Sequence, residues 1–214
     1  MNEIRRVYRR NLPHLQSLNA FLFCTFRLKG SLPRNILEAL IKEREREFKS
    51  ISNEGIMDGP RCRSFKQEIR KRLFIKWDEA LNNHDHGPIW LKQPAIAELV
   101  CESIEHRHPE QYELLCYTVM PNHVHMIFRH FREDLAVHKI LGGLKQYTGT
   151  RANRILNRTG SAFWQDESFD HVIRDGYLNK TIEYVLNNPI AFKHINHWQE
   201  WAYSWLSPAH SPTG

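Results

Sequence analysis

Apolar positions along this chain fall into two periods. The stretch "NAFLFCTFRL" (Asn19–Leu28) is dense in aromatic and strand-forming residues and predicts a buried first strand. "KGSLP" then turns, and Ser31 or Pro33 starts a helix that runs through "NILEALIKEREREF", apolar on one side and charged on the other. "SISNEGIMDGP" breaks it. A basic amphipathic helix, "SFKQEIRKRLFIKWDEALNN", follows, then the loop "HDHGP" and a third helix, "PAIAELVCESIEH". "YELLCYTVM" and "HVHMIFRH" predict two strands joined at "PN" as a hairpin. "EDLAVHKILGGLKQYTGTRANRILNR" predicts a long helix, "TGSAFWQ" a loop, "SFDHVIR" a short strand, and "YLNKTIEYVLNN" a helix stopped by Pro189. Residues 1–16 read as an irregular basic arm, and 191–214 as a Trp-rich tail ending in a frayed Ser/Pro stretch.

This order is βαββαβ with one region enlarged, a helical insertion at about 49–92. It predicts one α+β domain over 1–214, ferredoxin-like, with an antiparallel sheet and helices packed on one face. The N-terminus, "MNEIRRVYRR", has no apolar run behind its charges and does not read as a secretory signal, and no stretch approaches a membrane span. Four cysteines without CxxC spacing read as reduced thiols of a cytosolic protein. The formal charge of +6 suits a polyanionic partner.

The hairpin carries the sharpest chemical signal. Side chains alternate along a strand, so His123 and His125 in "VMPNHVHMIF" share one face, about 7 Å apart along the backbone. Two imidazoles so placed can share a divalent metal; equally, such a pair can be surface histidines. In "TIEYVLNNPI", Tyr184 and Asn188 lie one turn apart on one helix face. An amide oxygen suits Mg²⁺ or Mn²⁺, although half-buried packing and a helix cap account for the same two residues. Lys145, Arg151, Arg154 and Arg158 read as basic residues of the long helix, the three arginines as one stripe. Trp164 and Gln165 could stack on or read an unpaired base, with core packing the alternative for Trp164. Arg174 could touch a phosphate or pair with Asp170 or Asp175, and Arg5, Arg6, Arg9 and Arg10 make the N-terminal arm basic.

"MPNHVHMIF" resembles the HUH motif (His, hydrophobic residue, His) of single-tyrosine transposases, and the chain is similar to the REP-associated tyrosine transposases, tied to repetitive extragenic palindromes of bacterial genomes. Four further segments carry the resemblance: "YRRNLPH" with "FLFCTFRLKGSLP", "GPIWLKQPAIAELV", "LKQYTGTRANRILNRTGSAFWQDESFDHVIRD", and "IEYVLNNPI". The resemblance implies a metal-dependent cytoplasmic enzyme that cleaves and rejoins single-stranded or hairpin DNA. It implies His123, His125 and Asn188 as ligands of Mg²⁺ or Mn²⁺, and Tyr184 as the nucleophile that forms a 5′-phosphotyrosine. Tyr147 in "KQYTGT" is a rival but has no amide four residues on. Related enzymes include homodimers that exchange tyrosine helices. This chain departs from the family at "SLNAFLF" and at "NPIAFKHINH", where details of DNA recognition are at stake. Two other functions stay open: a domesticated DNA-binding regulator without catalysis, and a metal-dependent phosphoesterase acting on RNA or small phosphate esters.

Overall fold

The computed structural model describes residues 4–9, 13–53, 59–83, 87–192 and 195–210. In its described residues, 4–9 and 13–16, the N-terminal arm is not irregular. Strand β1 (Ile4–Arg9) pairs antiparallel with β2 (Pro13–Ser17). Its basic residues had masked the strand-forming Ile4, Val7 and Tyr8 between them. Arg10 lies outside the described residues.

The main sheet comprises β3 (Ala20–Arg27), β4 (Glu113–Val119), β5 (His123–His130), β6 (Phe169–Val172) and β7 (Ser204–Leu206). Its order is β6-β3-β5-β4-β7, with every pair antiparallel. The first four of these strands reproduce the ferredoxin-like order, each split pair enclosing a third strand. The fifth, β7, was not expected. It comes from the Trp-rich tail and pairs Trp205 with Tyr117, their rings stacked with centroids 6.3 Å apart. Three residues are too few for a sequence period to register.

Both sheet faces are covered. Leu22, Cys24 and Phe26 of β3 and Val124, Met126 and Phe128 of β5 form the core with α3 (Pro94–Glu105) and α4 (Val137–Ile155). The alternate residues Phe23 and His125 meet Tyr184 of α5 (Leu178–Phe192) on the opposite face. Helices therefore flank the sheet on two sides, not one. The reason lies in β5 itself, whose positions 123 to 128 are all buried, leaving no face to water. Pro189 sits inside α5 and does not stop it at Asn188. A proline deletes one N–H and crowds one carbonyl, and packing of the buried Val185, Leu186 and Asn188 offsets that loss.

The β4–β5 turn is tied at its backbone. Leu91 N–H donates to the Pro121 carbonyl at 3.1 Å, and Leu28 N–H donates to the Asn122 carbonyl at 2.8 Å. At the end of α4, Asn157 takes a left-handed φ of 54°, and Arg158 N–H returns to the Asn153 carbonyl at 2.7 Å. This is a Schellman-type stop.

Residues Gly30–Pro88 form a second compact unit. Helices α1 (Arg34–Asn53) and α2 (Pro60–Asn82) run antiparallel, with Glu43 paired to Lys76 at 2.6 Å and Glu47 to Arg72. Cys62, Ile69 and Leu73 pack against Leu40 and Phe48. The unit's ends close on each other: a Cβ at Gly87, whose φ is 85°, would come within 2.3 Å of the Gly30 carbonyl oxygen. The helical segment thus begins at Gly30 and takes in α1. Among the described residues no helix is long and apolar enough to cross a membrane.

Candidate active site

His123 and His125 sit at the start of β5, immediately after the tied turn, and both are fully buried. Their Nε2 atoms are 2.9 Å apart. Each ring is held at its other nitrogen. His123 Nδ1 meets Asn122 Oδ1 at 2.7 Å, so this nitrogen carries the proton and donates. His125 Nδ1 meets Thr25 Oγ1 at 2.8 Å across the β3–β5 ladder. A hydroxyl both donates and accepts, so Thr25 suits either tautomer of His125. Because His123 carries its proton on Nδ1, the 2.9 Å contact has His125 Nε2–H donating to His123 Nε2. With Nδ1–H on both rings, two lone pairs converge.

That convergence passes a geometric test for a metal. At metal–nitrogen distances of about 2.0–2.1 Å, two ligands at right angles stand about 3 Å apart. The observed separation matches, and both rings have the hydrogen-bonded outer nitrogen that metal-binding histidines use to fix orientation. The pair is therefore a ready set of nitrogen donors for a divalent ion.

Helix α5 brings Tyr184 to this pair. The Tyr184 ring lies edge-on to His125, centroids 5.9 Å apart, and edge-on to Phe23 at 6.1 Å. Its side is open to solvent, with 36% of its surface accessible. Asn188 is buried one turn further along the same helix. Arg27, the cross-strand partner of His123, shares the site's face. It is buried, which pushes its guanidinium down to about 10, against an opposing pull from Glu167.

The other expected residues scatter around this centre. Gln165 lies at the Arg27 end of the site, its N–H donating to the Arg27 carbonyl at 2.8 Å. Trp164 is core: it is buried, packs edge-on to Phe26 at 4.9 Å, and its indole N–H donates to Thr148 Oγ1 at 2.9 Å. It offers no face for a base. Lys145 donates to the Asp166 carbonyl at 2.8 Å and bridges α4 to the loop before β6. Arg151 and Arg154 are exposed on α4, but Arg158 lies past the helix end, 4.0 Å over the Trp90 ring, so the three do not form one helical stripe. Arg174 is exposed just beyond β6. Arg9 ends β1. Tyr147 belongs to α4, on the sheet face away from the histidines, with Arg151 4.6 Å over its ring.

The structure thus joins His123, His125 and Tyr184, and adds residues that spacing had not singled out. Asn122 was readable as the neighbour of His123. Thr25 was not, because it meets His125 across 100 residues of chain.

Residues 90–188 match the family model described as "Transposase IS200 like". No curated protein matches the chain. Among solved structures, a REP-associated tyrosine transposase bound to a REP hairpin is similar at 14% identity, covering 95% of this chain and 82% of that one, with a TM-score of 0.49.

Proposed function

We propose, with the match of residues 90–188 to the IS200-like transposases as premise, that the chain cleaves and rejoins single-stranded DNA at hairpin sequences. The observation that carries this reading is the meeting of Tyr184 with the His123–His125 pair. Tyr184 is the nucleophile. Its hydroxyl oxygen forms a bond to the scissile phosphorus, the bond to the 3′-oxygen breaks, and the hydroxyl proton leaves to solvent or to that oxygen. The products are a 5′-phosphotyrosine and a free 3′-OH. The covalent link is still a phosphodiester, so another 3′-OH can reverse it without a nucleotide cofactor.

His123 and His125 would hold Mg²⁺ or Mn²⁺, with Asn188 as the oxygen donor; the ion supplies charge neutralisation at the phosphate. Asn122 and Thr25 keep the imidazoles aimed. Arg27 adds a buried positive charge on the same face, and Arg151, Arg154, Arg158 and Arg174 are the cations offered to the DNA backbone. Tyr184 and His125 of one chain face each other, which supports cleavage in cis even if two copies associate. A cytoplasmic enzyme of a bacterial mobile element fits this chemistry.

The test uses purified protein, Mg²⁺ or Mn²⁺, and labelled hairpin DNA with single-stranded flanks, resolved on a denaturing gel. A covalent protein–DNA band is expected, lost in Tyr184→Phe with DNA binding retained. Tight, metal-independent binding without a band would instead make the chain a regulator. Turnover without a band would make it a phosphoesterase.

A further inference from the structure

The face that carries Tyr184 does not end there. Phe169 and His171 stand two apart on β6 and so share a side of the strand. Their cross-strand partners are Thr25 and Phe23, which places them on the histidine face. Phe23 is the hub. Its ring lies 5.2 Å from His171, 6.4 Å from Phe169, 6.1 Å from Tyr184 and 5.6 Å from His125. Phe169 and His171 themselves meet edge-on at 5.5 Å. Exposure rises outward along this row: Phe23 is buried, Phe169 half-buried and His171 exposed. Packing alone would bury the outer rings. Here aromatic surface opens to solvent on the terminal strand of the sheet, beside the nucleophile, with the exposed Arg174 just past the strand's end.

We propose that Phe169 and His171 form a stacking platform for an unpaired base of the DNA strand next to the scissile phosphate. The inference rests on the reading of Tyr184 as the nucleophile, since that puts the phosphate beside Phe23. Every nucleobase has a π-face, so such a platform holds a strand in place without demanding one sequence, and a cation nearby takes the adjoining phosphate. Phe23 acts as the buried backing that keeps both rings edge to edge. The platform orients the strand for in-line attack; it makes no bond to the reacting atoms.

The experiment places 2-aminopurine at successive positions flanking the cleavage site of a hairpin oligonucleotide and reads its fluorescence on binding to the full chain. Tyr184→Phe is used as background, so that no cleavage intervenes. Quenching at one flanking position is expected. Phe169→Leu and His171→Ala should abolish it and weaken binding of the flanked hairpin roughly tenfold, leaving the flankless stem unchanged. His171→Phe, which restores a ring, should restore quenching. Adduct formation by the unmodified chain with no quenching at any position overturns the platform alone. Quenching without an adduct retains the platform and overturns Tyr184 as nucleophile. Undiminished quenching in both Phe169→Leu and His171→Ala also overturns the platform.

Discussion

Asn122 and Thr25 are short side chains that do the aiming for two longer ones. Each holds the outer nitrogen of one imidazole, and the inner nitrogens meet at 2.9 Å. Loss of such a partner leaves the ligand present but free to rotate, which weakens metal affinity by about 10–100-fold. Asn122→Ala and Thr25→Val should each show this in calorimetric titration with Mn²⁺, while the chain stays folded; unchanged affinity would mean that the strand alone orients the rings. Trp164 poses the converse case. Its indole N–H is buried and satisfied by Thr148. Thr148→Val keeps the shape and orphans the donor, at about 1–3 kcal/mol. Urea unfolding should show that loss, with no change in the DNA's contact with the site. Next to it, a Cβ on Gly149 would stand 3.2 Å from Phe163 Cβ and 3.3 Å from Trp164 Cδ1, a tight fit that asks those side chains to give by a few tenths of an ångström.

At the scale of elements, α5 and β7 decide what the site looks like. Helix α5 runs through Pro189 and lays Tyr184 against Phe23 and His125. Strand β7 covers the free edge of β4. It stacks Trp205 on Tyr117, and Trp201 nearby donates its indole N–H to the Val119 carbonyl at 3.0 Å. Tyr117 in turn bonds Glu105 of α3, and burial pushes its hydroxyl well above the ordinary tyrosine range. Trp205 is only half-buried, so Trp205→Ala should cost less than a core tryptophan, about 2 kcal/mol. Thermal unfolding checks this, and an unaltered midpoint would make β7 a passive cover. The period of the apolar residues had been enough to place four of the five strands of the main sheet and the α-helices, including β5 to the residue. It missed β7 and the β1–β2 hairpin, where a pairing partner rather than local pattern makes the strand.

For the whole molecule, charge is the quantity that acts at a distance. The net charge is +6, and several arginines lie on the surface without forming one stripe. Binding to single-stranded flanks should weaken as salt rises. Three phosphate contacts would give a loss of roughly tenfold or more between 50 and 200 mM salt. A flat titration would remove phosphate contacts from the account, whichever arginines were assigned to them. Chelation tests the proposed division between metal-dependent cleavage and metal-independent binding: it should abolish the covalent band and leave salt-sensitive hairpin binding in place. Binding that also vanished would mean that the ion is needed to hold the DNA.

The sequence by itself determined the βαββαβ order, the common face of His123 and His125, and the helix face shared by Tyr184 and Asn188. These are consequences of periods of two and 3.6, which any stretch of chain carries locally. Only the tertiary structure decided the rest. It put Tyr184 beside His125 from a helix some 60 residues on, set Thr25 behind His125 from 100 residues away, and turned Trp164 inward. It also brought Phe23, Phe169 and His171 together through the β6–β3 register. Contacts of that range depend on which strands lie side by side, and pairing between distant segments leaves no mark in either one alone.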